Sequence, residues 1–501
     1  MTRQTDDAST RAAGVENTHT LTRMAASLSA FGRTFVSLLH APAAFWIIIG
    51  LYAIDAIAYF GNITLMEEYI KEDLKAGDVV ASITLSIFTG LVSLFMLGIG
   101  ELGERLGIRR GLLLAAFLCI VGRAAYAGAP LLSPSFTLDM IVLVGGLLVV
   151  AVGEGIIQPV AYAGVKYYTN ERNSSVAYGL IYGVMNLGIF FIGWLSPAIR
   201  VPVTDILAAR AAGTPEPHSI WRFFADWGIS GINGVNWICV AVSILAFFFL
   251  LVSMTKRREA AKISVPGVPR LAARPAAGPE LSLGRRLVNY FAEGPFSNAR
   301  FVFFVFMLLP VQTLFAHQFL TMPPYILRAY PKGVSDHMEL IVNWINPAIV
   351  FIGSPIIAAL TRRVGVYTLM IVGTFVSAVP TFLLSHGPNL TFLIVNQVLF
   401  AIGEALWSPR FYQYAAELAP EGKVAQYMGL ANLQWFAAKM TTGFYSGWFL
   451  AHYCPEGGTQ DTGTMWTIYG LVALISPIGL LLGRKWVMSG TMGTPKPKAA
   501  T

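Results

Sequence analysis

Gly153-Glu154-Gly155-Ile156-Ile157-Gln158-Pro159 sets a carboxylate inside a long apolar run, and 250 residues later Gly403-Glu404-Ala405-Leu406-Trp407-Ser408-Pro409 does so again. Each copy reads Gly-Glu, four residues, Pro, and each follows an apolar run, Ile141 to Val152 and Phe392 to Ile402. A second echo comes in the same order: Tyr182-Gly183-Val184-Met185-Asn186-Leu187, then Tyr427-Met428-Gly429-Leu430-Ala431-Asn432-Leu433. Paired echoes in constant order indicate two related halves, the arrangement by which membrane folds built from repeats hold a site between them. A carboxylate at bilayer depth is costly unless it meets a partner or a wet cavity, so Glu154 and Glu404 are functional candidates.

Composition agrees with a membrane setting. The chain is 55% apolar and only 12% charged, where a soluble domain carries about 25% charged residues. The net charge of +8 gathers at helix ends and in one long segment, which is a topology signal rather than a nucleic-acid surface. Cys119, Cys239 and Cys454 have neither metal-ligand nor disulfide spacing, and no metal or cofactor is expected. The first forty residues are polar, with Arg3, Arg11, Arg23 and Arg33 and no cleavable apolar core, so the first apolar segment is expected to stay as an anchor.

A span needs about 20 apolar residues. Twelve such runs are present, the first at 43 to 67 and the last at 465 to 487, six on either side of an Ala/Pro/Arg-rich stretch. The expectation is an all-α membrane protein with twelve transmembrane helices in two six-helix pseudo-symmetric bundles. The expected divisions are an N-terminal tail (1–42), a first bundle (43–254), a linker (255–298), a second bundle (299–487) and a C-terminal tail (488–501). Basic residues at the N-tail, the 101–110 loop, the linker, Arg362-Arg363 and Arg484-Lys485 fall on one side, which positive-inside logic makes cytoplasmic. The opposite loop at 199–231 carries Trp221, Phe223, Phe224 and Trp227; it reads as a piece lying at the interface, with a small lid as the alternative.

Between the second and third runs lies Gly100-Glu101-Leu102-Gly103-Glu104-Arg105-Leu106-Gly107-Ile108-Arg109-Arg110. Glycines permit a tight turn, the acid can hold a helix end, and the arginines stay on the inner surface. This loop resembles the signature of the major facilitator superfamily, with Glu104 in place of the usual Asp; Thr361-Arg362-Arg363-Val364-Gly365 is its remnant in the second half.

Within that superfamily the chain resembles the proton-dependent oligopeptide transporter family, through Ile181-Tyr182-Gly183-Val184-Met185-Asn186-Leu187-Gly188, Gly403-Glu404, Ser408-Pro409, Ala419-Pro420 and Met428-Gly429. The resemblance implies that Asn186 and Glu404 face a central cavity and hold a peptide's backbone and amino terminus. The first span departs from the family's Glu-x-x-Glu-Arg-Phe-x-Tyr-Tyr-Gly: Tyr52 stands for the first Glu, Asp55 for the second and Ala56 for the Arg, while Gln158 replaces a fourth-helix Lys. Neither Ala nor Gln can supply the charge that would bind a peptide carboxylate.

Asp55 lies about 11 residues into its span, roughly 16 Å deep, with Tyr59 one turn on along the same face. Glu154 and Gln158 make a second polar face. Asp55, Glu154 and Glu404 are the expected proton-coupling acids; the plainer role is a permanent hydrogen bond to a neighbouring helix for Asp55 and Glu154, and a permanent structural ion pair with Lys439 for Glu404. Lys439, seven residues after Asn432 on one helix face, needs an anion, and Glu404 is its expected partner. Arg123 sits on a span that is usually peripheral and is expected to be structural, able to snorkel outward. His317, Gln318, Trp407 and Asn432 complete the candidate substrate-binding set with Tyr59, Gln158, Asn186, Glu404 and Lys439, although His and Trp in such runs are commonly packing residues. Trp344 and Asn346 are further cavity candidates. Pro159, Pro310, Pro347, Pro355 and Pro409 fall within helical runs, where they permit bending.

The expected function is secondary active transport of a small polar, peptide-like or amine-bearing solute, coupled to protons, by a monomer in a bacterial-type inner membrane with both termini cytoplasmic. The alternatives are a proton-driven exporter of cationic or amphipathic compounds and, further off, a non-transporting receptor or assembly factor. No ligand cluster, Gly-x-Ser-x-Gly or phosphate loop points to an enzyme, and the expected partners are solute, protons and lipid rather than nucleic acid.

Overall fold

The structure, a computed structural model, describes residues 38–98, 106–132, 135–169, 174–260, 295–361, 364–418 and 424–489. The described residues are helical with short connections. The first half comprises α1 (Ala43–Glu72), α2 (Asp78–Gly98), α3 (Ile108–Leu132), α4 (Phe136–Tyr168), α5 (Ser174–Ala212) and α6 (Gly231–Ser253). The second comprises α7 (299–329), α8 (Met338–Leu360), α9 (Val366–Ala378, prolonged as a 3-10 turn over Val379–His386), α10 (Leu390–Leu418), α11 (Val424–Tyr453) and α12 (Thr462–Met488). Among the described residues ten helices are long and apolar enough to cross a membrane, and Met338–Ser354 is a shorter apolar stretch.

Several starts follow from local chemistry. Ser230, Asn298 and Asp461 each accept the backbone N–H three residues on, closing the first turns of α6, α7 and α12. The seventh run is not one continuous helix but three, Ala299–Met307, Leu309–Leu320 and Met322–Ala329. Pro310 and Pro323-Pro324 sit at the first positions of the second and third pieces, where a missing N–H costs nothing. Pro323-Pro324 therefore restart the helix.

The loop expected at 199–231 is largely ordered helix. α5 carries on through Pro197 and Pro202 to Ala212, and Arg222–Asp226 forms a short helix. Arg210 fastens this cap, donating to Glu216 at 2.8 Å, to Asp226 and to the Ala225 carbonyl at 2.8 Å; the Arg210 guanidinium holds the Glu216 carboxyl below its ordinary range. Trp227, 71% exposed, stands where an interfacial ring belongs.

In the first half α3 and α4 cross at close range. A Cβ on Gly122 would sit 2.6 Å from the Gly146 carbonyl oxygen, and one on Gly146 would sit 2.7 Å from that of Gly122. Only glycine at both positions allows this approach, and it brings the middles of the two helices within side-chain reach.

The halves meet along two seams, α2 on α11 and α5 on α8. On the first, a Cβ at Gly447 would lie 2.6 Å from the Asp78 carbonyl oxygen, and Ser86 Oγ donates to the Lys439 carbonyl at 3.0 Å. Among the described residues, all ion pairs joining the halves lie at one end, opposite the linker. Arg200 forks onto Glu339 at 2.6 and 2.8 Å, Arg328 pairs with Asp78, Lys71 with Glu456 at 2.5 Å, and Lys332 with Asp205 at 2.6 Å. That end is sealed.

Candidate functional site

The α3–α4 crossing sets Arg123, mid-way along α3, between two acids. Its Nη1 donates to Asp55 Oδ1 on α1 at 3.0 Å and to Ser243 Oγ on α6 at 2.7 Å, and its Nη2 donates to Glu154 Oε1 on α4 at 2.6 Å. Arg123 is 1% exposed. It does not snorkel outward, because two carboxylates inside the bundle offer it more than headgroups would. Cys119 Sγ approaches Glu154 at 3.8 Å. A cavity of about 10 Å³ adjoins the cluster, lined by Tyr59, Asn62, Phe88, Arg123 and Tyr126 among others. Tyr59 thus belongs to the arginine cluster.

One guanidinium faces two carboxylates, so the cluster carries one negative charge with both acids ionised and none with a single proton bound. Asp55, Cys119 and Glu154 have ligand atoms within 4.8 Å of one another, but the guanidinium already fills the place between the acids that a metal cation would take.

Glu404 lies in a different setting. Asn346 Nδ2 donates to its Oε2 at 2.8 Å, and Tyr182 OH, from the other half, donates to its Oε1 at 3.5 Å. Lys439 is not its ion-pair partner: among the described residues no carboxylate lies in ion-pair range of Lys439, and Glu404 meets neutral donors only. Asn346, named in the sequence reading only as a further cavity candidate, is thereby a contact of the acid.

Other candidates fall into packing roles. His317 bonds Thr321 Oγ1 at 2.7 Å and Tyr445 OH at 3.1 Å and stacks on Tyr469 at 3.9 Å. Gln318 Oε1 accepts from Gln397 at 3.0 Å. Trp407 is fully buried against Phe315, with ring centroids 5.8 Å apart, inside the second half. These three side chains are engaged within one half, because His317 and Gln318 of α7 face α10, α11 and α12, and Trp407 of α10 faces α7. Trp344, by contrast, stacks on Phe190 at 4.7 Å across the α5–α8 seam.

Asn186 is buried and turns back to its own helix, donating to the Tyr182 carbonyl at 3.0 Å; Gln158 is half-buried on α4. The Asn432 side chain lies outside the described residues, as do Gly100, Glu104 and Arg105 of the signature loop. Among the described residues of that loop, Gly107 takes φ +83°, and Glu259 Oε1 accepts the Arg109 N–H at 2.9 Å, setting a carboxylate at the start of α3. Arg109 Nε reaches the Met254 carbonyl at 2.5 Å, and Arg110 is exposed.

What sequence reasoning missed is Arg123 as the hub. The signal was present: an arginine in an apolar run of a chain whose first and fourth runs each hold an acid far from either helix end, Asp55 and Glu154.

Comparisons agree with this architecture. Residues 48–437 match the Major Facilitator Superfamily. Dipeptide and tripeptide permease A of Escherichia coli (strain K12) is 22% identical over 470 residues, covering 86% of this chain and 89% of the permease. The protein of that name from Salmonella typhimurium is 23% identical over the same length, covering 86% and 88%. A POT family transporter solved with 5-aminolevulinic acid superposes with a TM-score of 0.63 at 15% identity, covering 89% of this chain and 97% of its own. The POT family transporter PepTSo gives 0.64 at 15% identity over 90% and 99%. With its twelve helices in two bundles and its match over most of its length, the chain belongs to the Major Facilitator Superfamily, as an integral, multi-pass membrane transporter and not an enzyme.

Proposed function

We propose that the protein is a proton-coupled secondary transporter of a small, polar, peptide-like or amine-bearing solute, working by alternating access. The observation that carries this reading is Arg123 held between Asp55 and Glu154. Three charged groups in an apolar bundle change from one net negative charge to none on taking up one proton, so the cluster can be loaded and unloaded without a second ion. The cation expected on α1 is Ala56; in this chain a cation reaches Asp55 from α3 instead. Glu404, held by donors from both halves, is the group on which solute binding and the rocking of 43–254 against 299–487 converge.

The similarity to dipeptide and tripeptide permeases supports a peptide-like substrate. The basic loops support a bacterial inner-membrane orientation with both termini cytoplasmic, which makes the sealed end the outer one. The functional unit in this reading is one chain.

The test is accumulation in proteoliposomes under an imposed pH gradient, with radiolabelled solute exchange at equal pH measured alongside. Glu154→Gln fixes the cluster without its titrating charge. It is expected to abolish gradient-driven accumulation and to leave exchange intact; unchanged accumulation would remove the cluster from the coupling.

A further inference from the structure

A column of polar side chains runs through the first half, between α1, α3 and α6, from the Arg123 cluster to the sealed end. On α1, Asp55, Tyr59, Asn62, Met66 and Tyr69 follow one another at alternating steps of four and three, one face of a helix, and the next step is Asp73, just past its end. From Asp55 to Asp73 that face covers about 27 Å at 1.5 Å per residue. α6 is the most apolar of the long spans among the described residues, yet Asn233, Asn236 and Ser243 share one of its faces and all three are buried. They point into the same space. Asn236 Oδ1 accepts from Asn62 Nδ2 at 3.0 Å, Asn233 Nδ2 donates to the Ala127 carbonyl of α3 at 3.1 Å, and Ser243 Oγ accepts from Arg123 at 2.7 Å. At the sealed end Ser230 Oγ donates to Asp73 Oδ2 at 2.8 Å. Asp73 is half-buried. Burial pushes its carboxyl up to about 6; Glu72 and Lys75 flank it, and Asp139 of α4 lies beyond Tyr69.

The column does not satisfy itself. Among the described residues Asn62 Oδ1, Asn233 Oδ1 and Arg123 Nε have no hydrogen-bond partner, although all three side chains are buried. Open amide and guanidinium groups at such depth are costly, and enclosed water is what ordinarily satisfies them. The cavity of about 10 Å³ lined by Asn62 and Arg123 has the size of one water. We propose that this column is a proton path, by which the Asp55–Arg123–Glu154 cluster is loaded from the outer side while the seal between the halves stays shut. Asp73 takes a proton from outer water. The proton passes inward over the Ser230 hydroxyl and enclosed water, each oxygen releasing one proton as it accepts another. The Asn233, Asn236 and Asn62 amides hold that water and do not ionise. The proton ends on Asp55 or Glu154 and cancels the one net negative charge of the cluster. This rests on the reading above that the cluster couples transport to protons, and it adds how the proton arrives.

The experiment sets Asn62→Leu, which keeps the bulk and holds no water, against Asn62→Ser, which is smaller and keeps a hydroxyl. Both give up the amide bond to Asn236, so a purely structural role would show in both. The readouts are the initial rate of radiolabelled dialanine accumulation in proteoliposomes under an inward proton gradient and dialanine exchange at equal pH. Asn62→Leu is expected to slow accumulation on the order of a hundredfold, the worth of a positioned proton-transfer group, with exchange unchanged; Asn62→Ser is expected to keep both. Accumulation at the wild-type rate in Asn62→Leu, equal slowing in the two variants, or equal slowing of accumulation and exchange overturns the path and leaves the coupling reading standing. Wild type that does not accumulate dialanine overturns the coupling reading and the path with it.

Discussion

Removing one charge from the α5–α8 seam should loosen the α2–α11 seam, and Cys454 offers a native reporter. Glu339 accepts Arg200 Nε and Nη2 at 2.6 and 2.8 Å and Ser196 Oγ at 3.1 Å. In Glu339→Gln, Arg200 keeps one amide oxygen and the Ser335 and Asp336 carbonyls, each at 3.2 Å, but loses its counter-charge and stays a buried cation until the end opens and water reaches it. Breaking a buried pair from one side costs about 3–5 kcal/mol. With two carbonyls retained we take roughly 3 kcal/mol, which at about 1.4 kcal/mol per tenfold shifts the closed-to-open ratio by about a hundredfold.

Cys454 sits on the other seam, fully buried, its carbonyl bonded by Arg328 at 3.0 Å. Burial pushes its thiol up to about 11, so the closed state is slow to react both through lack of access and through scarcity of thiolate. The assay is the rate of modification of Cys454 by a membrane-impermeant maleimide at pH 7, assigned by peptide mass so that Cys119 and Cys239 need no substitution. Glu339→Gln should label on the order of a hundredfold faster than wild type. An unchanged rate would refute the reasoning, since it would mean that the two seams open independently or that the pair adds nothing to closure.

Two further outcomes follow from the same charges. Arg123→Leu leaves two carboxylates buried without their cation and should lower thermal stability by an amount equivalent to about 3–5 kcal/mol; adding Asp55→Asn and Glu154→Gln should restore most of it, and a single variant as stable as wild type would mean that the cluster is not an ion network. Lys71 holds the Glu456 carboxyl below its ordinary range, so this link across the seal is fully present above the ordinary carboxylate pKa and is lost only as pH falls through the lowered value. Glu456→Gln should therefore change Cys454 labelling by the same small factor from pH 8 down to about 5.5, within the ~1 kcal/mol of an exposed pair; a difference that vanishes within that window would contradict the assignment.

Much of this molecule is legible in the order of its residues. Apolar run length, basic loop residues and the Gly-Glu-x-x-x-x-Pro echo are local or periodic features, and they suffice for twelve helices in two bundles because a bilayer leaves the backbone few alternatives. The acids were legible too, since a carboxylate within an apolar run stands out whatever surrounds it. Their partners were not. Whether Asp55 and Glu154 meet a wet vestibule or Arg123 depends on how α1, α3 and α4 are rotated against one another, and that is decided by the mutual approach of Gly122 and Gly146. Glu404 and Lys439 look like a pair on a linear map, yet α8 and α5 turn Asn346 and Tyr182 onto the acid and leave the amine apart. Tertiary packing decided both cases, because electrostatic partnership is set by a few ångströms of helix rotation to which no single span is sensitive by itself.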